Sequence, residues 1–220
     1  VPLEVLSLTF NAVQENTFLV YDTDSLETII FDPGCYSRAE EQRLLDVIEE
    51  RGLKPTQLIN THCHFDHVFG NAFVKETFGL QLGIHPLEQP ILEMAPLIVS
   101  TYGMPPMTAS PPPDYFINEG DDIKLGQYQF QVLLCPGHSP GSLCFYQPEA
   151  GFVIGGDVLF RNSIGRTDLP GGDHPTLMGA IITKLFPLPD ETVVYPGHGS
   201  STTIGYEKKN NPFVREFLDA

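Results

Sequence analysis

Three imidazoles and a carboxylate fall within six consecutive residues of this 220-residue chain, in His62-Cys63-His64-Phe65-Asp66-His67. Imidazole nitrogen and carboxylate oxygen are ligands for zinc and related divalent ions. Read alone, the pattern H-x-H-x-D-H can hold two ions. His62 and His64 lie two apart on extended chain, and Asp66 and His67 follow the turn. The bland alternative is a polar loop that happens to contain histidines.

Three later residues stand where further ligands would be useful. Val132-Leu133-Leu134-Cys135 runs into Pro136-Gly137-His138, and Val193-Val194-Tyr195 runs into Pro196-Gly197-His198. The repeat places a histidine at the end of an apolar strand, where loops build sites on α/β scaffolds. Between them, Phe152-Val153-Ile154-Gly155-Gly156 ends in Asp157. Two groups of three, His62/His64/His138 and Asp66/His67/His198, leave Asp157 able to bridge both ions. Each ion then keeps an open position, as catalysis requires. Two ions about 3.5–4 Å apart can share a water, lower its pKa and hold it as hydroxide at neutral pH. They can also stabilise the oxyanion formed by attack on a carbonyl. The reaction implied is hydrolysis, with Asp66 and Asp157 as its catalytic carboxylates. Asp32 is placed to accept an N–H from a ligating imidazole, or simply to form the Asp32-Pro33-Gly34 turn.

The elements that must position these residues are legible in outline. Leu3–Phe10, Thr17–Tyr21 and Thr28–Phe31 read as strands. Ser37 and Glu40 form a capping box for a helix whose apolar face is Leu44, Leu45 and Ile48, ended by Gly52. Leu58–Asn60 is a short strand leading into the histidine cluster, followed by a helix from Gly70 to Phe78 and the strand Leu80–Ile84. A helix from Pro86 to about Tyr102 leads into a proline-rich loop or flap. Three of the four methionines lie between Met94 and Met107, where gap-filling in a core is the expected use. In the second half, Ile123–Leu125, Tyr128–Leu134, Ser142–Gln147, Phe152–Ile154 and Thr192–Tyr195 read as strands. A helix spans roughly Pro175–Phe186, with Asp173 or His174 near its cap. His85 reads as structural, and His174 as either cleft-lining or capping. Strands alternating with helices across both halves predict two sheets with helices outside. No linker or break in composition divides residues 1–220, so a single domain is expected.

Composition narrows the functions. The 28 acidic side chains against 12 basic ones give a formal charge of -16, which repels phosphate backbones and argues against nucleic-acid or membrane partners. No apolar run approaches the roughly 18 residues of a membrane span. Val1-Pro2-Leu3-Glu4 lacks the basic region and apolar stretch of a signal peptide, so the expected location is cytoplasmic. Cys35, Cys63, Cys135 and Cys144 lack C-x-x-C spacing and are expected as free thiols. An apolar flap at 94–116 could serve a homo-oligomer contact.

His62-x-His64-x-Asp66-His67, followed by His138, Asp157 and His198, resembles the metallo-β-lactamase superfamily in order and approximate spacing. The Asp32-Pro33-Gly34 turn and Pro136-Gly137-His138-Ser139-Pro140-Gly141-Ser142 extend the likeness over nearly the whole chain. The resemblance implies an α/β fold, an αββα sandwich of two mixed β-sheets flanked by helices. Aspartate at 157, with Gly156-Asp157-Val158-Leu159-Phe160 and Gly165-Arg166-Thr167-Asp168, resembles the glyoxalase II-like branch. In that branch the basic residue after the glycine contacts a glutathione carboxylate, a role that falls here on Arg166. The chain resembles the short single-domain subgroup, without the C-terminal helical domain that completes the glutathione surface in longer enzymes. The implied activity is hydrolysis of a small anionic thioester such as S-lactoylglutathione, with two divalent ions. Zinc is the expected metal, and iron or manganese are alternatives that the same ligands accept. Persulfide dioxygenases resemble the same branch but use one iron, here with His62, His138 and Asp157; hydrolysis of another ester or a lactone is a further alternative.

Overall fold

The computed structural model describes residues 2–219, which form two compact units. The architecture is α/β, with two six-stranded mixed sheets flanked by helices. Among the described residues no helix is long and apolar enough to cross a membrane.

The first unit runs to Ile117 and includes Lys124–Gln127. Its elements in chain order are β1 (Leu3–Phe10), β2 (Glu15–Asp22), β3 (Glu27–Phe31), α1 (Arg38–Glu50), β4 (Lys54–Ile59), α2 (Phe65–Val68), α3 (Asn71–Phe78), β5 (Leu82–Ile84), α4 (Gln89–Thr101) and β6 (Tyr115–Phe116). The sheet order is β1-β2-β3-β4-β5-β6. The first three strands pair antiparallel, and β3 through β6 are parallel. Parallel neighbours need a crossover, which α1 supplies between β3 and β4. Its expected capping box is present, with Ser37 Oγ accepting from Glu40 N at 3.3 Å and Glu40 Oε2 accepting from Ser37 N at 3.0 Å. Leu44 and Ile48 face the core, where they join Leu19, Ile30, Leu58, Leu82 and Ile84. Because β3 and β4 run in register, with Phe31 opposite Ile59, the residues leaving their carboxyl ends emerge side by side. Those residues are Asp32 on one strand and Asn60-Thr61-His62 on the other.

The second unit comprises Asn118–Ile123 and the chain from Tyr128 onward. The following elements are β7 (Asp122–Leu125), β8 (Tyr128–Leu134), β9 (Leu143–Gln147), β10 (Phe152–Gly156), β11 (Leu159–Phe160), β12 (Ser163–Ile164), α5 (His174–Ala180), β13 (Val193–Pro196), β14 (Thr202–Thr203), α6 (Ile204–Asn210) and α7 (Pro212–Asp219). The second sheet has the order β14-β13-β10-β9-β8-β7. Strand β9 is antiparallel to both β8 and β10, and β13 is parallel to β10. Strands β8, β10 and β13 therefore point the same way, and the residues following them leave one end of the sheet. Those residues are His138, Asp157 and His198. Between β10 and β13 the pairing continues past the strands, with Gly197 N donating to Gly156 O at 2.8 Å.

Several elements differ from the sequence expectation. The four-residue α2 and the short β6, β11, β12 and β14 carry too little periodicity to be read. Pro86 opens a separate turn of 3-10 helix, Pro86–Glu88, before α4 begins. The helix expected over Pro175–Phe186 starts at His174 with Asp173 as its cap and widens into a π turn at Ile181–Leu185. All four cysteines are buried and free.

Gly137 sets the exit of β8 toward His138. Its φ is +125°, and a Cβ there would lie 2.3 Å from Leu177 N, a backbone atom that cannot move aside cheaply. Gly137→Ala should therefore cost about 2 kcal/mol or more of stability, read as a lower urea midpoint. A midpoint equal to wild type would show that the turn is more adaptable than its packing indicates.

Candidate metal centre

In the first unit the chain stays extended through His64 and turns helical at Phe65. Alternate residues of extended chain share a face, so His62 and His64 lie together, their ring centroids 4.9 Å apart. The turn into α2 then brings Asp66 and His67 back beside them. The rings of His62 and His67 are 4.1 Å apart, and His67 Nε2 lies 3.5 Å from Asp66 Oδ2. His62 and His67 are fully buried, and Asp66 nearly so.

Asp32 decides which nitrogen of each buried ring carries the proton. Its Oδ2 accepts from His67 Nδ1 at 3.1 Å and from Thr61 Oγ1 at 2.5 Å, while Oδ1 accepts from Thr61 N at 2.7 Å. Thr61 Oγ1, its own proton given to Asp32, accepts from His62 Nδ1 at 3.2 Å. With Nδ1 protonated in both rings, the lone pair sits on Nε2, the arrangement typical of metal-binding histidines. The carboxylate atoms of Asp32 lie close enough to His62 and His67 to count among metal-capable donors, but both oxygens are committed to N–H and O–H groups. Asp32 therefore sits where it accepts from groups beside His62 and from His67 itself.

Sequence reading missed the buried groups behind this segment. Asn11, at φ 53°, donates from Nδ2 to Gly34 O at 3.0 Å and Asp66 O at 3.1 Å. Asn60 Nδ2 donates to His67 O at 3.2 Å and is paired with the amide of Asn71. Glu88 accepts from Cys63 N at 2.7 Å. Glu15 is fully buried 3.9 Å from His67 Nδ1. Thr17 Oγ1 lies 2.8 Å from Asp32 O, 3.1 Å from Glu15 Oε2, and accepts from Gly34 N at 2.9 Å. The Thr17 hydroxyl proton is shared between the Asp32 carbonyl and the Glu15 carboxyl. Burial pushes the Glu15 carboxyl well above its usual range, against the pull of His67.

In the second unit Asp157 Oδ2 lies between two imidazoles, 3.5 Å from His138 Nε2 and 3.4 Å from His198 Nε2. These separations, like that of His67 and Asp66, exceed a normal hydrogen bond. Two donors each about 2.1 Å from a tetrahedral ion lie roughly 3.4 Å from each other. The donor types and their spacing thus fit divalent ions in both units. His138 Nδ1 donates to Arg166 O at 2.7 Å, which again puts the lone pair on Nε2. Phe160 stands edge-on to the His198 ring, with centroids 6.2 Å apart. Gly165 is required because a Cβ there would lie 1.9 Å from Asp157 O.

The Arg166 side chain is 56% exposed and forks onto Asp168, with Nε to Oδ1 at 2.7 Å and Nη2 to Oδ2 at 2.9 Å. That pairing pulls the Asp168 carboxyl down to about 2. His85 accepts from Leu87 N at 3.2 Å and caps the turn Pro86–Glu88, with burial holding its pKa down; its role is structural. His174 is exposed at the first position of α5, edge-on to Phe217 at 6.2 Å.

Asp32→Asn replaces one acceptor oxygen with a donor facing groups that themselves donate. It should lower metal affinity by about 10–100-fold in competition with a chelator while the fold is kept; unchanged affinity would remove Asp32 from this role. Glu15→Gln keeps an acceptor oxygen for Thr17 Oγ1 and should leave unfolding free energy within about 1 kcal/mol of wild type, with metal content retained. A much larger loss would show that the carboxyl group itself is needed at this buried position.

The model of the metallo-β-lactamase superfamily matches residues 10–198. Hydroxyacylglutathione hydrolase GloC of Haemophilus influenzae is 40% identical over 96% of this chain and 97% of its own length. The crystal structure of BLEG-1 B3 metallo-β-lactamase superposes with a TM-score of 0.88 at 37% identity, covering 96% of this chain and 99% of that one. TTHA1623 in a di-iron-bound form superposes with a TM-score of 0.84 at 41% identity, covering 94% and 99%. The chain belongs to the metallo-β-lactamase superfamily.

Proposed function

We propose that the two donor sets act together as one catalytic domain with a dinuclear centre, and that the protein hydrolyses thioesters of the S-lactoylglutathione type. His62, His64 and His138 would hold one ion and Asp66, His67 and His198 the other. Asp157 would be common to both. The observation that carries this reading is Asp157 Oδ2, nearly equidistant from the Nε2 atoms of His138 and His198, the two histidines assigned to different ions. The hydroxyacylglutathione hydrolase from Haemophilus influenzae supports the thioester, and the di-iron form of TTHA1623 supports two ions. The donors themselves accept zinc, iron or manganese, and zinc is the proposed occupant.

Divalent ions at these ligands would supply Lewis acidity toward the carbonyl and a water acidic enough to lose its proton near neutral pH. The chain's own residues do the rest. Asp66 accepts a hydrogen bond from the attacking water and holds it in line with the thioester carbon. Asp32, through His67 and Thr61, keeps the rings from rotating as charge develops. The departing thiolate is a stable leaving group, so no strong acid is needed opposite the attack. Arg166 would exchange Asp168 for a substrate carboxylate. Two carboxylates among seven donors would neutralise only part of the charge of two divalent ions, so the ions themselves would be the local attraction for a small anionic substrate in a chain of formal charge -16.

The test is S-lactoylglutathione turnover and metal content on the same purified sample. Wild type should turn over with close to two ions per chain. Asp157→Ala should lose metal and drop activity by more than the roughly 100-fold upper range seen for orienting partners. Full turnover in Asp157→Ala would sink the mechanism. A single bound iron, with oxygen uptake on glutathione persulfide, would replace it with a dioxygenase.

A further inference from the structure

Strands β11 and β12 form a two-stranded sheet of their own, with Leu159 opposite Ile164 and Phe160 opposite Ser163 around the turn Arg161-Asn162. Gly165 N donates to Val158 O at 3.2 Å. That bond continues the register, so Asp157 and Arg166 are the next residues on the two strands. The open end of the hairpin therefore holds the Asp157 carboxylate and the Arg166 carbonyl that accepts from His138 Nδ1. On β11 the Phe160 ring stands edge-on to His198. One hairpin thus bears on all three donors of the second unit.

A two-stranded hairpin this short is marginal in water by itself, so its geometry depends on what grips it. Fully buried Glu207 of α6 accepts from Asn162 N at 3.0 Å through Oε2, at a turn residue in the left-handed conformation, φ 57°. Asn211, also fully buried, donates from Nδ2 to Ser163 O at 2.9 Å and to Glu207 Oε2 at 2.8 Å. Thr202 Oγ1 donates to Glu207 Oε1, and the Arg161 guanidinium lies over the Tyr206 ring, 5.0 Å from its centroid. A buried carboxylate is costly unless its oxygens are satisfied, and Glu207 is satisfied only with the hairpin in place.

We propose that Glu207 and Asn211 are positioning residues of the metal centre, clamping the β11–β12 hairpin so that Asp157, His138 and His198 are ordered before an ion arrives. This rests on the metal-binding reading of those donors and not on the substrate. The helices α6 and α7 then set metal affinity without touching an ion, because donors already in place lose less conformational entropy on binding.

Titration of the chelator-stripped protein with Co2+, which histidine and carboxylate donors accept, against a competing chelator tests the clamp, with the urea midpoint measured on the same samples. Asn211→Ser removes the amide donor but keeps an oxygen to cap α7, where Asn211 Oδ1 now accepts from Phe213 N at 3.1 Å. It should bind Co2+ about tenfold more weakly than wild type, the lower end of what orienting partners give. Glu207→Met, which offers no acceptor, should lose at least as much. Glu207→Gln should keep wild-type affinity, its amide oxygen accepting from Asn162 N and its NH2 donating to Thr202 Oγ1. Lys208→Ala, which breaks a surface pair with Asp190 on the same helix, should also match wild type. Wild-type affinity in a folded Asn211→Ser, or an equal loss in Lys208→Ala, would overturn the clamp and leave the metal centre standing. A wild-type protein that binds no Co2+ would overturn the metal centre and the clamp together.

Discussion

The Asp32 carboxylate is the constraint on which the donor set of the first unit depends. It sits just beyond β3, buried, with both oxygens accepting hydrogen bonds from groups on the neighbouring parallel strand and on α2. A buried carboxylate is costly unless fully satisfied, and here its satisfaction is also its use. The bonds that solvate it are those that choose the tautomers of His62 and His67. The backbone around it is bound just as closely. Asp32 N donates to Ile59 O, and its carbonyl accepts from Thr17. The βαβ crossover through α1 thus has a chemical consequence, because placing β3 beside β4 in register is what brings Asp32 within reach of Thr61.

The second unit reaches a comparable result by different means. His138 is oriented by the Arg166 carbonyl rather than by a carboxylate. A neutral acceptor adds no charge there, and Asp157 is an acid that lies near both His138 and His198. Three strands pointing one way deliver the three residues, and glycines at 137 and 165 let the backbone pass where a side chain would collide. Parallel direction is again what matters, since a ligand displaced to the opposite end of β10 or β13 would be a full strand length away.

This also explains what could be read from the sequence. The capping box of α1 and the spacing of His62, His64, Asp66 and His67 are local, so chain order carries them. His138 and His198 were legible because Pro-Gly-His twice follows an apolar run. Asp32 stood out as an acid at the end of a strand, though the turn Asp32-Pro33-Gly34 was an equally local explanation for it. Glu15, Asn11, Asn60 and Glu88 were missed because their partners are brought together only by the fold. The role of the Arg166 carbonyl had no signal at all, since every residue has that group. Of the methionines, Met107 packs against the core as expected of a gap-filler, whereas Met94 is substantially exposed.

Arg166 joins two functions that its sequence position alone would merge. Its backbone carbonyl holds His138, while its guanidinium faces outward and grips Asp168. Replacing the side chain leaves the carbonyl in place, so the substrate recognition proposed for the guanidinium can be separated from the bond to His138 at one residue. The fork on Asp168 shows that the guanidinium is already arranged for a planar pair of oxygens. Because both partners are well exposed, solvent screens their attraction and the pair is weak. A substrate carboxylate arriving in the same plane would compete with Asp168 without any need to unfold or desolvate the arginine. Under the proposed function, Asp168 would hold the guanidinium near the geometry a substrate carboxylate needs, lowering the conformational entropy lost when an anionic substrate binds.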